Sequence, residues 1–465
     1  MLITARSSFR SVVPRALRQT RPASLLTTTI QNALPEGLKP SGLPKLESPL
    51  SLLQTELSSL QSNISHLLGS GHPSLDSVAK YYFQAEGKNV RPKIVLLMAQ
   101  ATNGLGSNWQ EVASKDPNEV DRWLTQRDDV LNDYNPGMPE STRSFQNVFI
   151  PSSSSSPRAG LHSSLNSPLR RSPSSPAHSV HLPSGPLASL ALADPTILLP
   201  TQKRLAEITE MIHVASLLHD DVIDVSPTRR GAPSAPNLFG NKVSILGGDF
   251  LLGRASAALA RLGSPEVVEL LSTVIANLVE GEMMQLKATQ EPERSPTAEG
   301  FDKYMQKTYL KTASLMAKSA RASVILGGAE CDEELKDVAY AYGRNLGIAF
   351  QLVDDLLDFT PTPSTTMGKP SSGFDLSLGL ATAPLLYAWE SNPSLTPLIR
   401  RGFSEPGDVP TARDLVLASD GMDRTRKLAR EYAEGARDLI RDRLPESEAR
   451  AGLEDLTEQV LKRCK

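Results

Sequence analysis

Two aspartate triplets of the form D-D-x-x-D constrain this chain more than any other feature of its sequence. They are Asp220, Asp221 and Asp224 in LLHDDVID, and Asp354, Asp355 and Asp358 in FQLVDDLLD. On a helix, residues four apart share a face, so each triplet directs two carboxylates one way with the third alongside. Clustered carboxylates repel one another, and a hard divalent cation with a preference for oxygen ligands relieves that repulsion. The pair of triplets predicts a magnesium site that binds a diphosphate.

The remaining pattern is helical, which predicts an all-α bundle with a central active-site cavity. Apolar residues recur every three or four positions over 49–68, and a second helix is predicted over 77–102. Beyond Leu205 the sequence is helical almost throughout, and Ser264, Pro265 and Glu266 form a typical helix start. No strand-like alternation of any length occurs, so an all-α architecture is the natural expectation.

Composition excludes several classes of protein. The chain has 465 residues and a formal net charge of -3, without the basic excess that is typical of nucleic-acid-binding proteins. Its two cysteines, Cys331 and Cys464, cannot build a disulfide framework, which fits a reducing compartment. We therefore expect no nucleic-acid partner and a soluble protein, with peripheral association with the inner mitochondrial membrane as a further expectation.

The first 40 residues have the composition of a mitochondrial transit peptide. They contain five arginines before residue 22, many Ser and Thr, and no acid before Glu36. The alternative is a basic tail without a targeting role. The transit interpretation places the mature protein in the mitochondrial matrix and assigns 48–465 to the helical domain.

A Ser/Pro-rich insertion interrupts that domain at 105–195. Between Pro151 and Pro186, 13 Ser and 7 Pro account for 20 of 36 residues. Such a segment has too little apolar surface to offset the entropy of ordering it. Because the chemistry lies on both sides, we interpret 105–195 as a disordered insertion within one domain and not as a linker.

Cationic and hydroxyl side chains that could bind phosphate surround the triplets in sequence. They are Lys88 and Arg91 in GKNVRP, Arg229 and Arg230 after the first triplet, Lys311 and Thr312 in YLKTASL, and Lys369 after the second triplet. Arginine offers a planar fork that matches phosphate oxygens, and lysine offers a mobile point charge. Any one of these would ordinarily be a solvated surface residue. Their joint occurrence with six acids predicts a site for two diphosphates.

With these motifs in order along the chain, the sequence resembles the trans-polyprenyl diphosphate synthases, especially the mitochondrial long-chain type. The matching strings are GKNVRP, HVASLLHDDVIDVSPTRRG, FGNKVSILGGDFLLGRA, YLKTASLMAKS, FQLVDDLLDF and MGKP. The resemblance covers about 48–104 and 196–465. It implies magnesium-dependent condensation of isopentenyl diphosphate with an allylic diphosphate such as farnesyl or geranylgeranyl diphosphate, to make the side-chain precursor of ubiquinone.

The resemblance also implies a role for each matching residue. Magnesium ligands would be Asp220, Asp224 and Asp354, supported by Asp221, Asp355 and Asp358. The isopentenyl diphosphate site would comprise Lys88, Arg91, His213 and Arg230. The allylic diphosphate site would comprise Arg229, Lys311, Thr312, Gln351 and Lys369.

Two small residues one turn before the first triplet bear on product length. Ala215 and Ser216 would lie beneath the growing chain, and short-chain relatives tend to carry aromatic plugs there. Their small size favours a long product, although small residues also allow close helix packing.

Three alternatives remain at this point. A short-chain geranylgeranyl or farnesyl synthase is disfavoured by Ala215 and Ser216. A non-catalytic subunit of a heteromeric synthase would tend to lose triplet acids, whereas this chain keeps all six. An HD-type phosphohydrolase, suggested by His219 and Asp220, would need further metal-binding histidines. Only seven histidines occur, and five of them lie in the amino-terminal region or the insertion. Self-association, as a homodimer or with a related subunit, is the expected assembly.

Overall fold

The fold was analysed in a computed structural model of the chain. It describes residues 53–68, 72–84, 89–115, 197–229, 231–290, 295–360 and 373–463. All of these lie in one compact unit, Ser48–Lys465. The predicted transit peptide lies outside the described residues, as do 116–195 of the predicted insertion.

Seventeen helices, one π-helical turn and one short hairpin make up the described part of the chain. Before the first triplet the helices are α1 (Gln54–Leu67), α2 (Pro73–Gln84), α3 (Val90–Thr102), α4 (Trp109–Ala113) and α5 (Pro200–Ile223). Between the triplets follow β1 (Thr228–Arg229), β2 (Ala232–Pro233), α6 (Ala235–Phe239), α7 (Asn241–Ala260), α8 (Pro265–Gln290), α9 (Ala298–Thr308), the π turn (Tyr309–Ala313), α10 (Ser314–Leu326) and α11 (Glu333–Phe359). The remaining helices are α12 (Phe374–Ser377), α13 (Ala383–Ser391), α14 (Leu395–Arg400), α15 (Asp408–Leu417), α16 (Gly421–Arg443) and α17 (Glu448–Lys462).

The all-α prediction is confirmed, but the predicted helix over 77–102 is wrong in one respect. The chain forms two helices there, α2 and α3, and Asn89 between them has φ 47° and ψ 38°, a left-handed conformation. Asparagine tolerates that conformation better than most residues, and α3 begins directly after it. The break places Arg91 in the first turn of α3, where the sequence pattern had placed it mid-helix.

The start of the predicted insertion is more ordered than its composition indicated. Residues 105–115 include helix α4, whose Trp109 is buried in a small apolar cluster with Ala113 and Leu199. Asn103 donates from its side-chain amide to the Ile197 carbonyl at 3.1 Å, so the two borders of the insertion are tied together. Disorder of the rest of the insertion stays a prediction.

The core is formed by long helices that pack around α5, α10 and α11. Helix α11 packs against α10 and α16, and α5 packs against α7 and α3. The α10–α11 approach depends on glycine, because a Cβ on Gly343 would lie 2.4 Å from the Met316 carbonyl oxygen. These contacts fix the ends of α5 and α11, where the triplets are located.

Helix α7 has an unusual surface. By length and composition it is apolar enough to cross a membrane, and only part of it is buried in the fold. Four apolar side chains on this surface are exposed: Ile245 and Leu246 of α7, and Val279 and Met283 of α8. Leu246, Val279 and Met283 are each 58–61% exposed. We call this the α7–α8 apolar surface.

Candidate active site

Both triplets lie at the carboxyl ends of long, largely buried helices. Asp220 and Asp221 are in the last turn of α5, and Asp224 is its C-cap residue. The second triplet occupies the last two turns of α11. The prediction that both triplets are helical, on otherwise apolar helices, is confirmed.

The outer carboxylates of the first triplet meet an acid from a third helix. Burial and the neighbouring Glu282 raise the pKa of Asp220 to about 7, and the cation of Lys311 opposes that rise. The pKa of Asp224 is also raised, first by burial and then by Glu282, again opposed by Lys311. Glu282 itself is ion-paired with Lys311. Three carboxyl groups are thus crowded near Lys311, with Arg229 also close to Asp224, in a poorly solvated place that disfavours their charged forms.

Lys311 and Thr312 lie in the π turn between α9 and α10. A π turn is wider than an α turn, and such turns are often found at functional sites. Two glycines allow neighbouring helices to approach it closely: a Cβ on Gly281 of α8 would lie 2.6 Å from Lys311 Cγ, and one on Gly347 of α11 would lie 2.6 Å from Ala313 Cα. The turn is therefore held between α8 and α11.

The two adjacent residues of this turn contact different triplets. Lys311 Nζ donates to Gln285 Oε1 at 3.1 Å on the side of the first triplet. Thr312 Oγ1 donates to Gln351 Oε1 at 2.8 Å, and Gln351 Nε2 donates to Asp355 Oδ1 at 2.9 Å. The structure thus connects Lys311, Thr312, Gln351 and both triplets through contacts, and the roles assigned to these residues stay predictions.

The middle aspartate of each triplet is buried and already hydrogen-bonded. Asp221 accepts from Arg229 Nε at 2.9 and 2.8 Å and from Arg229 Nη2 at 2.5 Å, so the predicted diphosphate-binding arginine is oriented by that carboxylate. Asp355, which is 2% exposed, accepts from Gln351 and from the Tyr304 hydroxyl. Burial and the charge of Asp375 raise the pKa of Asp355 to about 6.

The outer acids of the second triplet have partners of another kind. Arg463, one residue beyond α17, places Nη2 2.6 Å from Asp354 Oδ1 and its guanidinium 4.4 Å from the Phe350 ring centroid. Asp358 accepts the backbone N–H groups of Phe374 and Asp375 at 3.1 and 3.2 Å. Asp358 therefore fixes the chain where it returns from the segment that contains Lys369.

Other predicted residues are placed less completely. His213 lies on α5, two turns before Asp220, and Arg91 lies in the first turn of α3. Lys88, Arg230 and Lys369 lie outside the described residues. The assignment of all these residues to a particular substrate stays a prediction.

The two residues proposed to control chain length differ in environment. Ala215 is fully buried within the main apolar core. Ser216 is only partly buried, and its hydroxyl donates to the His213 carbonyl at 2.8 Å. Ser216 also shares a helix face with Asp220, four residues later.

Several residues near the site were not predicted from the sequence. They are Tyr82, Glu282, Tyr304, Lys307 and Arg463. Lys307 lies one helical turn before Lys311; burial lowers its pKa, and the charge of Asp355 opposes this. Glu282 and Lys307 lie on the faces of α8 and α9 that meet the triplets, a tertiary relation that helical periodicity does not reveal.

The donor set fits a hard divalent cation. Among the described residues, no three acidic, His or Cys side chains already converge closely enough to hold a metal ion. Asp220 and Asp224 nevertheless combine raised pKa values with oxygen-only donors, which is the chemistry that magnesium would relieve. Asp354, the third predicted ligand, is paired with Arg463 in this structure.

Comparisons with known proteins identify the family. Residues 187–416 match the polyprenyl synthetase family. The chain is similar to a probable mitochondrial hexaprenyl pyrophosphate synthase of Neurospora crassa, with 49% identity over 95% of this chain and 87% of that one. It is also similar to decaprenyl-diphosphate synthase subunit 1 of Schizosaccharomyces pombe, with 39% identity over 89% of this chain and 91% of that one.

The fold gives the same result. A crystal structure of a decaprenyl diphosphate synthase from Rhodobacter capsulatus has a TM-score of 0.62 and 25% identity, covering 90% of this chain and 98% of that one. The similarity to mitochondrial relatives places this chain in mitochondria. With both triplets and the lysine-threonine turn assembled between them, the chain belongs to the polyprenyl synthetase family and is a prenyltransferase.

Proposed function

We propose that this chain is a magnesium-dependent, long-chain trans-polyprenyl diphosphate synthase that makes the side-chain precursor of ubiquinone. It would condense isopentenyl diphosphate repeatedly with an allylic primer such as farnesyl or geranylgeranyl diphosphate. Relatives named as hexaprenyl and decaprenyl synthases support a long product. The number of isoprene units and the preferred primer remain for experiment.

One observation carries this proposal: the π turn connects the two triplets. Lys311 faces the first triplet through Glu282, and Thr312 reaches the second through Gln351 and Asp355. A diphosphate bound at this turn would meet a lysine ammonium and a threonine hydroxyl while lying between two groups of carboxylates. That geometry suits a leaving group that is bridged to acids by cations and is poorly suited to a neutral ligand.

Separate groups of residues would bind the two substrates. Arg229, Lys311, Thr312, Gln351 and Lys369 would hold the allylic diphosphate, and Lys88, Arg91, His213 and Arg230 would hold isopentenyl diphosphate. Stabilising the departing diphosphate allows the allylic C–O bond to break. The double bond of isopentenyl diphosphate then attacks the allylic carbocation, and the released diphosphate accepts the proton that is lost.

Magnesium held by Asp220, Asp224 and Asp354 would neutralise charge that develops on the leaving diphosphate. The chain's own part is to keep water away from the carbocation. Leu218, Leu352 and Val353, which are buried beside the triplets, provide an aliphatic surround for that purpose.

Product length offers the sharpest test. Ser216 shares a face with Asp220 and is partly accessible, so a phenylalanine there would obstruct the growing chain after the first condensations. Ala215 is fully buried, and a phenylalanine there would also overpack the core, at a cost of about 1–3 kcal/mol. Ser216→Phe is therefore the cleaner variant.

The experiment supplies purified full-length protein with farnesyl and isopentenyl diphosphates and analyses the dephosphorylated products by chromatography and mass spectrometry. Wild type should give a long product, and Ser216→Phe should consume isopentenyl diphosphate but release shorter chains. Ala215→Phe, compared by thermal melting, separates tunnel obstruction from core damage. A wild-type product of four or fewer units would favour the short-chain alternative, and no product would favour the non-catalytic subunit.

The α7–α8 apolar surface supports assembly with a second subunit, either a copy of this chain or a related protein. Val279, Met283 and Leu286 recur at intervals of four and three along α8, so they form one exposed stripe. Exposed apolar patches of this kind mark protein or membrane contacts.

Sedimentation of the purified protein would test for a homodimer. A monomer that is inactive until a related subunit is added would favour the heteromer. Flotation with vesicles would test peripheral membrane association.

A further inference from the structure

The middle aspartates of the two triplets have a feature in common that the motif itself does not specify. Each accepts a hydrogen bond from a tyrosine on another helix: Tyr82 of α2 donates to Asp221 Oδ2, and Tyr304 of α9 donates to Asp355 Oδ2 at 2.5 Å. Both tyrosines are buried, each 5% exposed. A phenol is protonated at neutral pH at its ordinary pKa of 10.0, and burial raises the pKa of both tyrosines further, so both act as donors.

Each tyrosine also belongs to a chain of contacts that ends on a proposed substrate-binding side chain. The carboxylate held by Tyr82 orients the guanidinium of Arg229. The carboxylate held by Tyr304 orients Gln351, which in turn accepts from Thr312. Tyr82 is itself fixed, because its oxygen accepts the Ala235 N–H at 2.8 Å.

We propose that Tyr82 and Tyr304 are positioning residues, which turn the middle carboxylate of each triplet away from the metal and towards the side chains that bind diphosphate. The outer aspartates would then be left to face the cations. This inference rests on the proposed function, and it adds two residues that lie far from the triplets in sequence.

The contacts also indicate which tyrosine has the larger role. Asp221 keeps a two-pronged arginine when Tyr82 loses its hydroxyl. Asp355 has two donors, Tyr304 and Gln351, both neutral, and removal of one leaves a single amide to orient a buried carboxylate. A hydrogen bond to a charged group contributes more to stability than one between neutral groups. A buried carboxylate that loses a donor is therefore destabilised in its present orientation. Tyr304 should therefore matter more.

The variants are Tyr304→Phe and Tyr82→Phe, which remove only a hydroxyl. Tyr342→Phe is the matched control: this tyrosine is fully buried on α11 and donates to the Leu453 carbonyl at 2.7 Å, away from either triplet. For each full-length variant, calorimetry measures binding of inorganic diphosphate with Mg²⁺. Steady-state kinetics gives KM for both substrates and the half-saturating Mg²⁺ concentration. Thermal melting measures stability.

Tyr304→Phe should weaken binding of magnesium diphosphate about tenfold and raise KM for the allylic substrate by a similar factor. Tyr82→Phe should change the same quantities by roughly twofold to fivefold, because Arg229 remains. Tyr342→Phe should lower the melting temperature without changing either binding quantity. If Tyr304→Phe behaves like the control, the phenols only pack the core and the proposal is overturned.

Failure of the proposed function would look different. A wild-type protein that binds magnesium diphosphate but extends no allylic primer would contradict the synthase assignment. The calorimetric comparison of Tyr304→Phe with Tyr342→Phe would still decide the positioning role, since it does not need turnover.

Discussion

The two triplets have the same spacing and lie at equivalent ends of two helices, yet the chain has placed them in different surroundings. In the first triplet, the outer carboxylates face a third acid, Glu282, and share one lysine with it. In the second, Asp354 is paired with Arg463, and Asp358 binds the backbone N–H groups of α12. In the first triplet, crowding and burial raise the pKa values of two outer carboxyls, whereas in the second the outer carboxylates already have partners.

From this difference we expect the two triplets to bind cations in a fixed order. The first triplet gains most from a divalent ion, because buried like charges are relieved when it binds. If Asp354 is a metal ligand, as predicted, it would first have to separate from Arg463. We therefore expect the first triplet to take up the initial cation and the second to complete the site once diphosphate is present.

The largest expected effect comes from removing one outer aspartate. Asp220→Ala and Asp354→Ala should each lower turnover at least about a hundredfold, since each removes a carboxylate that helps to stabilise the leaving group. Initial rates with farnesyl and isopentenyl diphosphates at saturating Mg²⁺ measure the effect.

Asp302→Ala provides the control, because Asp302 is an exposed acid on α9. It should leave turnover unchanged. If Asp354→Ala keeps near-normal activity while Asp220→Ala does not, the second triplet does not bind metal. The first triplet would then be a catalytic motif and the second a structural one.

A smaller effect should follow from releasing Asp354. Arg463→Ala removes the cation that lies 2.6 Å from Asp354, so the variant should bind Mn²⁺ more tightly in the absence of substrate, by about fivefold for a partly exposed ion pair. Titration calorimetry with Mn²⁺ alone measures this, and Arg443→Ala, on an exposed ion pair with Glu334, is the control. Equal affinities in wild type and Arg463→Ala would show that the arginine does not compete with metal.

The smallest effect concerns pH and stability. The pKa of Asp220 is about 7 in the folded chain, against an ordinary value of 3.8. The folded state then holds a proton that the unfolded state releases, so stability falls as pH rises through this interval. Without metal, wild type should lose more stability than Asp220→Asn between about pH 5 and pH 8, by roughly 2 °C or more in Tm.

Asp355→Asn sharpens the same comparison. The pKa of the Asp355 carboxyl is about 6. The difference in stability between wild type and Asp355→Asn should therefore reach its full size at a lower pH than the difference for Asp220→Asn. Calorimetric scans in the presence of a chelator would show this order. Parallel curves for wild type and both variants would indicate that the carboxyls titrate normally.

Much of the fold and of the candidate site could be predicted because helices repeat locally. Triplet spacing, apolar flanks and the order of Lys311, Thr312 and Gln351 are all visible along the chain. The break before α3 was missed because the apolar patterns of α2 and α3 were joined into one helix, and periodicity does not reveal the left-handed backbone of Asn89. Glu282, Tyr82 and Tyr304 were missed because their importance arises from contacts between helices, and their own sequence surroundings are typical of amphipathic helices.

The π turn at Tyr309–Ala313 carries a consequence for how this enzyme can change. A π turn contains one residue more than the α turn it replaces, so deletion of a single residue would restore a continuous α-helix. We expect that straightened helix to fold, since Gly281 and Gly347 lie against this segment without side chains. It would nevertheless rotate Lys311 or Thr312 by about 100° away from its triplet. We therefore expect deletion of one residue in this segment to impair the reaction more than it impairs folding.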